Sequence, residues 1–77
     1  MMMKFTKLSE TDSKIIYSIE NGLFGTVEYD KKLKAYKSLN KKGKPFKDSV
    51  FNYAFYVAVV KNNFPDEIVY AAGWIYF

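Results

Sequence analysis

Cysteine, histidine and arginine are all absent from this chain. Without cysteine there is no disulfide to staple a small fold and no thiolate nucleophile. Without histidine there is no imidazole base and no Ser-His-Asp triad, and the two losses together remove the usual ligands of structural zinc. A short cysteine-free chain also fits a reducing compartment, so a cytoplasmic location is expected. Without arginine, bidentate guanidinium contacts to guanine, phosphate or carboxylate are ruled out, which weakens any base-specific reading of nucleic acid. An AT-rich coding sequence accounts for lysine standing at all 12 basic positions.

Long apolar runs are missing too. The longest, Val50 to Val60, is interrupted by Asn52, whereas a membrane span needs about 20 residues. The opening Met-Met-Met-Lys-Phe-Thr-Lys-Leu reaches the polar Ser9-Glu10-Thr11-Asp12-Ser13 before a signal-peptide core can form. No secretory signal and no membrane partner are expected. Gly22, Gly25, Gly43 and Gly73 are isolated and build no phosphate-cradling loop. The eight carboxylates show no spacing that would set one acid against another for acid–base chemistry. The expectation is therefore no enzyme, no cofactor and no metal.

Aromatic side chains fill the gap: seven Phe, seven Tyr and one Trp. A domain of this size buries only about 60% of the surface its unfolded chain exposes. Large rings, at roughly 150–250 Å² each, are how such a chain gains a core. Residues 1–77 read as one small globular domain. Nine of the rings fall in residues 49–77. Rings are enriched at interfaces, so the aromatic C-terminal part is a candidate for homo-oligomer formation.

The pattern predicts an α+β fold. Lys14 to Glu20 is β-branched and aromatic, and Asn21-Gly22 is a strong hairpin signal, so strands are expected over about 14–20 and 23–29. A two-residue turn there pairs Ile19 with Phe24 and Tyr17 with Thr26. Asp30-Lys31-Lys32 is a second turn before a third strand over about 33–39, with Tyr29 facing Lys34. One sheet face then collects Ile15, Tyr17, Ile19, Phe24, Ala35 and Leu39 as core. The other collects Lys14, Ile16, Val27, Tyr29, Lys34 and Tyr36 as a half-wet surface. Asn40 to Lys47 is a loop marked by Gly43 and Pro45. Asp48 or Ser49 caps a helix over about 49–62, with Phe51, Ala54, Phe55, Ala58 and Val59 on one face and Asn52, Tyr56 and Asn63 nearer the other. Its β-branched residues also suit a strand. For residues 65–77, Pro65-Asp66-Glu67 resembles a helix start while the end favours β structure, so helix and strand both stand. The expected architecture is a small antiparallel three-stranded sheet packed by one helix, plus that terminal element. Trp74 and Phe77 are expected to be buried.

Charge singles out the middle of the chain. Residues 31–48 hold eight Lys against Asp48, a local charge of +7, between flanks of −2 and −1. Lysines act on phosphates as mobile point charges, and neighbouring tyrosines can stack on bases. Tyr29, Lys31, Lys32, Lys34, Tyr36, Lys37, Lys41, Lys42 and Lys44 are therefore the candidate binding residues. The bland counterpart is a solvated lysine-rich face whose stems cover tyrosine rings. The predicted function is a non-catalytic binding module that contacts nucleic acid or a nucleic-acid-handling complex. The alternative is an accessory or inhibitor protein, of the kind phages and mobile elements carry, that binds and regulates a protein partner; the partner of the lysine patch is expected to be nucleic acid or an acidic protein surface.

Overall fold

The computed structural model describes residues 2–20, 24–71 and 74–76, with the backbone alone for Phe24 and 74–76. Its strands are β1 (Met2–Glu10), β2 (Lys14–Glu20), β3 (Phe24–Asp30), β4 (Ala35–Asn40), β5 (Pro45–Phe46), β6 (Glu67–Ala71) and β7 (Trp74–Tyr76). They form one antiparallel sheet in the order β5-β4-β3-β2-β1-β6-β7. A single helix, α1 (Ser49–Phe55), continues into a π-helical turn over Tyr56–Val60. The expected three-stranded sheet packed by a helix is thus overturned: the described residues are mostly β, with seven strands and one short helix.

The surplus strands come from segments whose local signals are weak or misleading. In β1 only Met3 and Phe5 are buried, either side of Lys4. It gains its place from pairing, with Phe5 opposite both Ile19 and Ile68. At residues 65–71, Pro65 starts no helix. Asn63 and Phe64 take left-handed φ of 64° and 56°, which ends the helical segment and redirects the chain into β6. The Pro65 carbonyl accepts the Tyr17 hydroxyl at 2.6 Å. Within this segment Glu67–Ala71 and Trp74–Tyr76 therefore close the sheet as β6 and β7, where a helix had been one of two expectations.

Register corrects the expected faces. Tyr17 lies opposite Val27 and Ile15 opposite Tyr29, one residue away from the expected pairing. Strand β2 ends at Glu20 and β3 resumes at Phe24, leaving three residues between them where a two-residue turn was expected. Asn21, Gly22, Leu23 and the Phe24 side chain lie outside the described residues. Because side chains alternate, that single step turns Val27 and Tyr29 onto the same face as Ile15, Tyr17 and Ile19. Likewise Tyr29 lies opposite Tyr36, not Lys34, since Lys31 to Lys34 form a four-residue turn. Of the expected half-wet face, Val27, Tyr29 and Tyr36 in fact lie on the helix-covered side, while Lys14 and Ile16 stay on the other.

That core gathers Met3, Phe5, Ile15, Tyr17, Ile19, Val27, Ile68 and Tyr70 from the sheet, with Phe51, Ala54, Phe55, Ala58 and Val59 from the helical segment. Rings dominate it. Phe55 lies 5.7 Å from Phe5, 6.0 Å from Tyr17 and 4.8 Å from Tyr36 between centroids. On the sheet's other face, charges pair across strands, Lys14 with Glu28 at 2.8 Å and Lys4 with Glu67 at 3.3 Å.

The helix starts where the sequence marks it. An Asp48 carboxylate oxygen accepts the Phe51 N–H at 2.9 Å, satisfying a donor that the first turn would leave unpaired. Asp48→Ala is expected to cost about 1 kcal/mol (0.5–2), read as a lower denaturation midpoint at unchanged m-value. A midpoint equal to that of the parent chain would mean the cap contributes nothing. At the other end, Lys61 N–H donates to Tyr56 O and Phe64 N–H to Val59 O, both at 2.9 Å, the i→i−5 bonds of a widened turn. The Asn62 amide covers the Val57 and Ala58 carbonyls at 2.9 and 3.0 Å.

Candidate binding surface

Two polar side chains shape the turns that carry most of the candidate lysines. In the β3–β4 turn, Asp30 Oδ1 accepts the N–H groups of Lys32 and Leu33 at 2.9 and 3.0 Å, and Lys34 takes a φ of 54°. In the β4–β5 turn, Asn40 Oδ1 accepts from Lys42 and Lys44 at 2.9 and 3.0 Å. Both are the local side-chain-to-backbone bonds that make Asp and Asn turn formers. Strand β4 runs between the two turns. Its six residues hold the clusters about 20 Å apart at the usual rise per residue.

The nine expected residues separate into three groups. Lys32, Lys34, Lys37, Lys41, Lys42 and Lys44 are exposed along β4 and its turns. Lys31 folds back, its ammonium 2.9 Å from Glu10. Tyr29 and Tyr36 do not stand free on a wet face. The Tyr29 ring lies 4.7 Å from Phe64, while Tyr36 packs on Phe55 and donates its hydroxyl to the Asn52 carbonyl at 3.2 Å. Burial raises the Tyr36 pKa above its ordinary value.

Ion pairing is concentrated around β1, β2, β3 and β6, away from the β4–β5 edge. Glu10 takes both Lys7 and Lys31 at 2.9 Å, and Asp66 lies 3.6 Å from Lys7. Hydrogen bonds from Lys7 and Lys31 hold the Glu10 carboxyl below the usual range, and Lys14 does the same to Glu28. Asp30 and Asp48 are occupied as turn and cap. Among the described residues, Lys32, Lys34, Lys37, Lys41, Lys42, Lys44 and Lys47 have no carboxylate within ion-pair distance. The β4–β5 edge therefore carries a row of ammonium groups outside ion-pair distance of any carboxylate, with Glu28 opposite Lys37 on the neighbouring strand.

Beside that row is a groove of about 820 Å³ between β4, β5 and α1, lined by Tyr36, Lys37, Pro45, Phe46, Lys47 and Asn52 among others. The last four of these were not among the expected site residues. Neither were Val50, Tyr53 and Tyr56, exposed by 48%, 61% and 48% on the outside of the helix. From Ser49 to Val60 there is no charged residue. A helix that is apolar all round is normally covered, and that absence of charge is the sequence signal that would have found this surface. A second hollow of about 430 Å³ lies among Lys7, Glu10, Tyr29, Lys31, Lys34 and Phe64, but Glu10 already pairs with Lys7 and Lys31 there.

Among the described residues, no three carboxylates gather as a metal site, and no helix is long and apolar enough to cross a membrane. The Trp74 side chain and Phe77, expected to be buried, lie outside the described residues. Compared with protein-family models, curated proteins and solved structures, the chain matches none of them.

Proposed function

We propose that this chain is a non-catalytic binding module of the cytoplasm that docks an acidic protein partner on its β4–β5 side. The observation that carries this reading is the unpaired lysine row beside a groove walled by Pro45 and Phe46. Ammonium groups without counter-charges favour an anionic partner and speed its encounter. Two features favour protein over nucleic acid. The tyrosines that would stack on bases are engaged with Phe55 and Phe64. The groove's own walls include the apolar Pro45 and Phe46, which suit an apolar protein surface better than a phosphate backbone. A lysine-rich edge also supports the second reading, a nucleic acid held by charge alone.

Three probes separate these readings at about 50 and 200 mM salt. They are an extended peptide alternating glutamate with valine, a single-stranded oligonucleotide and its duplex. The peptide is expected to bind more tightly than either oligonucleotide, and the triple variant K41Q/K42Q/K44Q to weaken it several-fold while flattening its salt dependence. Tighter nucleic-acid binding, with a log–log salt slope near −0.9 per phosphate neutralised on duplex, would replace the protein reading. No binding of any probe at low salt would end both.

A further inference from the structure

The groove lies where a strand is missing. Strand β5 pairs with only two residues of β4, Ser38 opposite Phe46 and Leu39 opposite Pro45. After Phe46 the chain leaves the sheet, because Asp48 turns it into the helix. Ala35, Tyr36 and Lys37 are thus paired with β3 on one side, and on the other they border the groove. The direction of the backbone groups follows from the turn. Asn40 N–H donates to Lys44 O at 2.8 Å, so Asn40 faces β5 with its backbone. Alternation gives Ser38 and Tyr36 the same direction. Among the described residues, the Tyr36 N–H and C=O meet no strand.

On the reading just given, we infer that this edge is a strand-addition site: an extended acidic segment of a partner protein pairs antiparallel with Ala35–Lys37 and fills the groove. Main-chain hydrogen bonds supply affinity in such additions, and alternate side chains supply selectivity. Here the alternation is set by β4. Tyr36 and Ser38 share the helix-covered face, whereas Lys37 lies opposite Glu28 on the other. The added segment therefore points apolar residues toward Phe46 and carboxylates toward Lys37. Charge selects this occupant over a second copy of the chain, since two copies paired antiparallel about Tyr36 would bring their Lys37 side chains onto one face as diagonal neighbours with no carboxylate between them, whereas an acidic segment supplies the counter-charge.

The test uses the full chain and the glutamate–valine peptide with two N-methylated versions. One is methylated at every valine amide, the other at every glutamate amide, so side chains and charge are constant. The residue opposite Tyr36 shares its face and is a valine, and its N–H points at the Tyr36 carbonyl. Methylation at valine is expected to raise Kd at least tenfold and methylation at glutamate to change it little. By NMR, the Tyr36 amide is expected to exchange at least tenfold more slowly at saturating peptide. Equal effects of the two methylations, or an unprotected Tyr36 amide, overturn strand addition and leave the acidic-partner reading standing. The reverse methylation preference overturns antiparallel pairing. Tyr36 protection that rises with protein concentration alone, with a dimer in sedimentation, makes the occupant a second copy. If the unmethylated peptide does not bind, the underlying reading fails instead.

Discussion

Replacing Phe55 with Ala is expected to leave most of the chain unfolded at physiological temperature. Its ring meets Phe5, Tyr17, Tyr36 and Phe51, so four elements converge on one side chain. Truncating a buried Phe to Ala typically costs about 3–5 kcal/mol. Native domains hold only about 5–15 kcal/mol, and small ones sit at the lower end. With roughly 4–8 °C lost per kcal/mol in a domain of this size, the melting temperature should fall by more than about 12 °C. Thermal circular dichroism measures it. A fall of only a few degrees would mean that the helix and sheet do not depend on this contact.

The second large effect is expected at Gly25, for a reason that burial does not reveal. Strand β3 carries an irregularity there, since Phe24 lies opposite Asn40 but Thr26 opposite Leu39. The backbone of β4 comes so close that a Cβ on residue 25 would sit 2.7 Å from Asn40 O and 2.9 Å from Asn40 C. Main chain held by two neighbouring strands cannot retreat as a side chain can. Gly25→Ala is expected to cost about 1–3 kcal/mol, the usual range for forced overpacking, with a melting-temperature loss of roughly 4–24 °C. An unchanged melt would show that β4 and its lysine-bearing turn shift freely. At Gly43 the demand is different: nothing lies within 4 Å, but φ is +81°, which a side chain resists.

What could be read from the sequence was local. The segments of β2, β3 and β4, the cap at Asp48 and the buried helical face of Phe51, Ala54, Phe55, Ala58 and Val59 each rest on signals within a few residues. What could not be read was non-local. Strand β1 has little propensity of its own and exists because β2 and β6 flank it. The sheet faces turned on one residue of turn length, which no composition rule resolves. The same step moved Tyr29 and Tyr36 from the expected wet surface to the helix side. The lysines of the candidate site were legible as charge. That their edge lacks carboxylate partners, and that a groove lies beside it, depends on where the acids and the helix come to rest.

The pairing of β1 with β6 sets a clock on folding. Phe5 and Ile68 are neighbours in the sheet yet about 60 residues apart in the chain. At a synthesis rate of ~5–20 residues per second, β1 leaves the ribosome roughly 3–12 s before its partner exists. The β2–β3–β4 meander can form meanwhile, because its contacts are short-range. Through that interval the strand destined for the sheet's interior presents one raw edge with Met3 and Phe5 uncovered, and such an edge is a template for pairing with other chains. Lys4 and Lys7, one and two residues from those apolar groups at the nearest, supply repulsion between nascent copies at the stage when misassembly is most open to them.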